Sequence, residues 1–87
     1  MKITIPTMLR QSANDPDTVI VEGKTVAECL DALQVKLPGL KSYLFDSMGH
    51  LRKHLILFVN DRNINNRLDT PVKDEDTLLI LYAISGG

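Results

Sequence analysis

One segment leaves little freedom about how the rest of the chain can fold. Thr25, Val26, Ala27 and Glu28 place a hydroxyl three positions before a glutamate, the capping box that closes the first turn of a helix. Beyond it Val26, Cys29, Leu30, Leu33 and Leu37 recur at helical spacing and make one apolar face. Glu28, Asp31, Gln34 and Lys36 sit mostly off that face. Pro38 and Gly39 end the helix, because proline cannot continue the ladder and glycine accepts the turn that follows. A lone amphipathic helix must bury its apolar face against something, and the flanking segments have the period of strands.

Upstream, residues 2–8 alternate, with Ile3 and Ile5 on one face and Lys2 and Thr4 on the other. Asn14, Asp15, Pro16 and Asp17 are a cluster of turn formers. Residues 18–22 are rich in β-branched side chains and read as a second strand, broken by Gly23. These two strands predict a hairpin with a wide connection. Downstream, residues 55–59 are a continuous apolar run of strand length, the mark of a buried strand. Residues 60–63 read as a turn, Ile64 as the opening of a short strand, residues 65–70 as a loop and residues 71–76 as a polar turn. Residues 77–84 read as the last strand. Between the helix and residue 55 the pattern is irregular. Leu40, Tyr43, Leu44 and Phe45 tack a short turn or helical piece onto the core, and residues 46–50 make an exposed loop.

The order is strand, strand, helix, strand, short strand, strand. A hairpin cannot bury its apolar face alone, so the helix covers it. The long connection lets the chain cross over, and the most compact arrangement sets the first and last strands side by side, parallel, in the middle of the sheet. The predicted class is α+β: a β-grasp, with a mixed sheet of four to five strands on one main helix. With 87 residues, one domain over residues 1–84 and a flexible tail over residues 85–87 are expected.

Composition narrows function mainly by exclusion. Ten Lys and Arg stand against eleven Asp and Glu, a net charge of -1, which gives no electrostatic footprint for phosphate backbones and argues against nucleic acid. One cysteine allows no internal disulfide. The first residues lack the apolar core of a signal peptide, and no apolar run nears the roughly 20 residues of a membrane helix. The expected compartment is the cytoplasm, with no membrane partner.

The last strand carries two further signals. Leu78, Ile80 and Tyr82 share one face, and Leu79, Leu81 and Ala83 share the other, so both faces are apolar. A strand covered by a helix on one side is otherwise polar on the other. Leu79 and Leu81, with Pro6 beside them if the central strands pair, form either an exposed docking patch or a surface that residues 40–54 fold over. The strand then runs into Ser85, Gly86 and Gly87. Glycine loses the most entropy on ordering, so a terminal pair is either a frayed end or the working part.

Five matches, in order, bear on that choice. The segment Ile5, Pro6, Thr7, Met8, Leu9, Arg10 is similar to the first strand and arginine-bearing segment of the MoaD/ThiS family of ubiquitin-like sulfur carriers. Residues 25–30, TVAECL, resemble the family's helix start. Phe58, Val59, Asn60 and Asp61 resemble its VN turn. Residues 74–78, DEDTL, resemble its approach to the last strand, with Glu75 where glycine is usual. Residues 83–87, AISGG, resemble its terminus. Within the family, IPTMLR and the length of the middle segment look most like the carriers that serve cysteine biosynthesis. The molybdopterin-synthase small subunits often have two prolines where this chain has Tyr82 and Ala83.

The resemblance implies that the Gly87 carboxylate is the reactive group. A ubiquitin-activating-type enzyme would adenylate it with ATP and Mg, and a sulfur donor would convert it to a thiocarboxylate used by a downstream sulfur-accepting synthase. No cofactor is bound by the carrier itself. Ser85 and Gly86 would thread a narrow channel, and Pro6, Leu79 and Leu81 would dock the partner. Three extended residues after Ile84 reach about 10 Å. The same activated glycine also suits a ubiquitin-like modifier joined to lysines, and a plain binding module with a frayed end is a third reading.

Other residues invite chemistry and are read as structural. Cys29 lies on the apolar helix face as a buried thiol. His50 and His54 have metal spacing for a helix, but no third ligand completes a set, so a solvated basic loop is preferred. Arg52 and Lys53 between them are candidates to meet an acidic partner surface. Asp74, Glu75 and Asp76 read as a charged turn. No catalytic triad, phosphate loop or dinucleotide fingerprint occurs, so the chain reads as a substrate of enzymes, with no catalytic residue and no metal site of its own.

Overall fold

The computed structural model describes residues 1–10 and 16–83. Five strands form one sheet: β1 (Lys2–Thr4), β2 (Thr18–Ile20), β3 (Leu55–Val59), β4 (Arg62–Asn63) and β5 (Thr77–Tyr82), in the order β2-β1-β5-β3-β4. β1 and β2 are antiparallel, β1 and β5 parallel, and β3 is antiparallel to both β5 and β4. The expected parallel central pair is therefore present, with Lys2 opposite Thr77 and Thr4 opposite Leu79.

The main helix α1 (Val26–Lys36) begins where its capping box lies. The Glu28 N–H donates to Thr25 Oγ1 at 3.2 Å. The return bond lands one residue early, from the Lys24 N–H to Glu28 Oε1 at 3.3 Å. Two more first-turn donors are met by a loop: Val26 N–H by the Thr70 carbonyl at 3.0 Å and Ala27 N–H by that of Leu68 at 2.8 Å. Val26, Cys29, Leu30 and Leu33 are buried, joining Ile3, Val19, Leu55, Leu57, Leu78 and Ile80 from the sheet in one core. A single-turn helix, α2 (Lys41–Leu44), follows and buries Leu44, with Leu40 just ahead of it.

Several boundaries differ from the sequence reading. The first strand ends at Thr4, and Thr7–Leu9 form a 3-10 turn, because Pro6 has no N–H to extend the ladder. Asn14 and Asp15, half of the expected turn over residues 14–17, lie outside the described residues. Tyr43 is 46% exposed and does not join the core, which Leu40 and Leu44 supply from that segment. The short strand is Arg62–Asn63, before Ile64, because Asn60 and Asp61 alone make the turn with φ of 49° and 69°. Ile64 is a buried anchor.

The outer edge of β3 is closed partly by a side chain. Asn66 Oδ1 accepts from the Leu57 N–H at 3.0 Å, and its Nδ2 donates to the Leu55 carbonyl at 2.8 Å. The Leu57 carbonyl accepts from the Ile64 N–H at 3.2 Å. Asn65 and Asn66 are both left-handed, with φ of 54° and 55°, a region asparagine enters more readily than most residues.

Candidate functional site

The site is built on the two faces and the exit of β5. Its inward residues Leu78 and Ile80 are fully buried. On the outward face Leu79 is half-buried and Leu81 is 40% exposed. The ladder sets Phe58 opposite Leu79 and Ile56 opposite Leu81, so these four side chains share that face. Thr4 lies opposite Leu79 on the other flank. Half-buried Pro6 follows Thr4 by two residues, just beyond the paired part of β1 and on the same strand parity. Pro6, Leu79 and Leu81 thus fall on one face, and Ile56 and Phe58 extend it.

Ile56 and Phe58 escape sequence reasoning because residues 55–59 read as one buried run. The burial in fact alternates, with Leu55, Leu57 and Val59 inward. Pairing with the doubly apolar last strand was the available signal. Leu40 and Leu44 belong to the core cluster with the α1 residues, whereas Ile56, Phe58, Leu79 and Leu81 stand outside it.

At the exit, the Ala83 N–H donates to the His54 carbonyl at 2.7 Å. The His54 and Tyr82 rings meet with centroids 4.5 Å apart. A shallow groove here is lined by Ser42, Tyr43, Arg52, His54 and Tyr82. Arg52 is held by its Nε, which donates to the Ser42 carbonyl at 2.8 Å. Ser85, Gly86 and Gly87 lie outside the described residues.

The remaining candidates take structural places. Burial raises the Cys29 thiol above its ordinary range, which disfavours the thiolate a nucleophile needs. Asp76 is held below the usual carboxylate range, first by the Asn60 amide at 2.7 Å and then by the Lys73 N–H at 2.8 Å. Asp46 is lowered by the His50 and Met48 N–H groups at 3.0 and 2.9 Å. Among the described residues no group of three or more His, Cys, Asp or Glu is arranged to hold a metal ion, and no helix is long and apolar enough to cross a membrane.

Comparison with known proteins agrees with this architecture. The sulfur carrier protein CysO of Mycobacterium tuberculosis is 30% identical over 89 aligned positions, spanning 98% of this chain and 96% of the relative. A chain of the Amycolatopsis orientalis BexX/CysO complex superposes with a TM-score of 0.85 at 34% identity, covering 99% of this chain and 98% of that one. SAMP1 from Haloferax volcanii superposes at 0.80 with 29% identity, covering 99% and 97%. The ThiS family model matches residues 3–87, from the first strand through the final glycines. By its β-grasp sheet and this match across nearly its whole length, the chain belongs to the ThiS family.

Proposed function

We propose that this chain is a sulfur carrier whose Gly87 carboxylate is the reacting group. The observation that carries the reading is the match to the ThiS family through Gly87, joined to a similarity to CysO sulfur carriers over almost the full length. A partner adenylating enzyme joins the carboxylate oxygen to the α-phosphorus of ATP and releases pyrophosphate, with Mg used by that enzyme. A sulfide-level donor then attacks the carbonyl carbon. A C–S bond forms, the C–O bond to AMP breaks, and AMP leaves, so the product is a thiocarboxylate. A downstream synthase takes that sulfur. The chain is the substrate of these steps and supplies no catalytic group.

The residues support each requirement of the route. Gly86 and Gly87 present no Cβ to a narrow channel, and Gly87 leaves the reacting carbonyl uncrowded. Ser85 is small and polar. The apolar face of Pro6, Ile56, Phe58, Leu79 and Leu81 lies beside the strand that leads into the tail, where a partner would grip. One similar chain comes from the Amycolatopsis orientalis BexX/CysO complex, which supports a protein partner for a carrier of this kind.

A second reading is favoured by the likeness to SAMP1, a small archaeal modifier protein. In it, a lysine amine attacks the same activated carbonyl and forms an isopeptide bond. One experiment separates them. The full chain is incubated with an adenylating enzyme of its own genome, ATP, Mg and a sulfide source, and its intact mass is read after alkylation. Exchange of one oxygen for sulfur at Gly87 supports the carrier. An unchanged mass under conditions that consume ATP, with Gly87 recovered on lysines of other proteins, would overturn it in favour of the modifier.

A further inference from the structure

We propose that the basic face at the root of the tail, made by Lys41, Arg52 and Lys53, docks against a carboxylate-rich rim on the enzyme that receives the tail. The proposal rests on the carrier reading above and adds the chemistry of the partner surface.

The argument begins with charge order along β5. Asp74, Glu75 and Asp76 immediately precede the strand. At its far end, about 20 Å away for six extended residues, the chain leaves through Ala83. There the neighbouring segment is basic. Residues 40–59 hold Lys41, Arg52 and Lys53 and a single carboxylate, Asp46. That carboxylate is already engaged by two backbone N–H groups of its own loop. In a chain of net charge -1 this segment thus carries three cations against one carboxylate, and α1 brings a second carboxylate, Asp31, to the groove that Lys41 and Asp46 line.

The second strand of the argument is rigidity. Arg52 is fixed three ways: its N–H donates to the Leu44 carbonyl at 2.9 Å, its carbonyl accepts from the Leu55 N–H at 3.1 Å, and its Nε donates to the Ser42 carbonyl. It stands between two shallow grooves, one shared with Tyr43, His54 and Tyr82 at the tail root, the other with Lys41, Phe45, Asp46 and Ser47, and no hydrogen bond joins it to the Asp46 carboxylate among the described residues. A guanidinium held by one nitrogen keeps its remaining donors for a carboxylate, a fork-shaped match that a mobile ammonium does not offer. The His54 carbonyl that holds Ala83 is two residues from Arg52, so this charge is in register with the exit of the tail.

Such a face does two things. It steers the carrier so that the tail end, not the acidic end, meets the enzyme first. It also fixes the rotation about the tail axis, which the glycines cannot do.

The test uses the full chain and the adenylating enzyme of the same genome, with affinity read by fluorescence anisotropy. Wild-type affinity is expected to fall at least about tenfold when salt rises from about 50 to about 300 mM, since exposed charges are screened over that range. Lys53→Glu is expected to weaken low-salt binding about tenfold and to flatten the salt dependence. Arg52→Glu is expected to do the same more strongly, and Arg52→Lys to recover part of the loss. Lys73→Glu makes the same change in net charge at the acidic end and is expected to bind as wild type. Binding by Lys53→Glu equal to wild type, equal losses in Lys53→Glu and Lys73→Glu, salt-independent binding, or no binding would each overturn the proposal. Pyrophosphate exchange is read in parallel. Its absence despite salt-dependent binding would overturn the carrier reading and leave the docking face standing. Normal exchange with unchanged binding by Lys53→Glu would overturn the docking face alone.

Discussion

Gly23 lies directly against Cys29. A Cβ built on Gly23 would stand 2.8 Å from Cys29 Sγ and 2.9 Å from the Cys29 backbone nitrogen. The thiol is itself fully buried in the core, and the nitrogen belongs to the first turns of α1 and cannot retreat without moving the helix. The close approach of the chain to the helix start therefore requires glycine here.

Gly23→Ala is accordingly predicted to destabilise the fold by about 1–3 kcal/mol, the range for overpacking a well-packed core. Chemical denaturation with an unchanged slope checks it. Gly23→Ala combined with Cys29→Ala is expected to recover little, because the backbone contact remains.

Asn66→Ala removes both bonds that the side chain makes to β3. Half-buried backbone groups would be left for water to reach, so a loss of about 1–3 kcal/mol is predicted. Amide hydrogen exchange at Leu57 is the specific readout. Faster exchange there, beyond the change in global stability, is the expected result.

Leu81→Ser is predicted to leave stability within about 1 kcal/mol of wild type, because the side chain is 40% exposed. Activation of the tail by the adenylating enzyme is predicted to fall through a weaker KM. An unchanged KM would show that this face does not meet the enzyme.

Gly87→Ala should abolish thiocarboxylate formation while leaving thermal stability unchanged, since the described core lies wholly before it. The pairing of those two measurements matters. A variant that loses activation and also unfolds at lower temperature would mean the residue acts through the fold.

The carboxylates of Asp46 and Asp76 set an acid limit. Both are depressed in the folded state, so the unfolded chain binds more protons at low pH. Their stabilisation is complete above the ordinary carboxylate value near about 4 and is lost as pH falls through the lower folded values. Thermal midpoints are predicted to drop on acidification from about pH 6 to about pH 3. Asp76→Asn, which cannot titrate, should show a shallower drop.

How much of this was readable beforehand depends on what each residue had to choose between. Thr25 and Glu28 declared the helix start because capping is local chemistry. Ile3 and Ile5 declared an alternating strand, and the long crossover connection with its most compact arrangement gave the parallel centre. Pro6 ended that strand early, a cost paid only by a residue that must donate to a neighbour, and the neighbour is invisible in sequence. Asn60 and Asp61 looked like half of a longer turn, because their left-handed backbone is fixed by strand twist. Ile56 and Phe58 were hidden by being as apolar as the residues beside them. Periodicity shows which residues differ, and on a strand apolar on both faces nothing differs. The anchoring of Arg52 by Ser42 joins positions ten apart across an irregular segment, where no pattern could announce it.

The placement of β5 has a mechanical consequence. On the proposed route, an enzyme that threads the tail would also pull on it, and the pull would enter the body along the last strand. That strand has hydrogen-bonded neighbours on both sides, β1 and β3. The bonds between strands lie across the direction of pull, so they carry the load together and would have to give way together. A strand at the sheet's border, loaded crosswise, would instead peel one bond at a time. Traction on the chain's end would thus be resisted in shear by the middle of the sheet, so that on the proposed route the tail would be drawn into one partner after another without unravelling the body behind it.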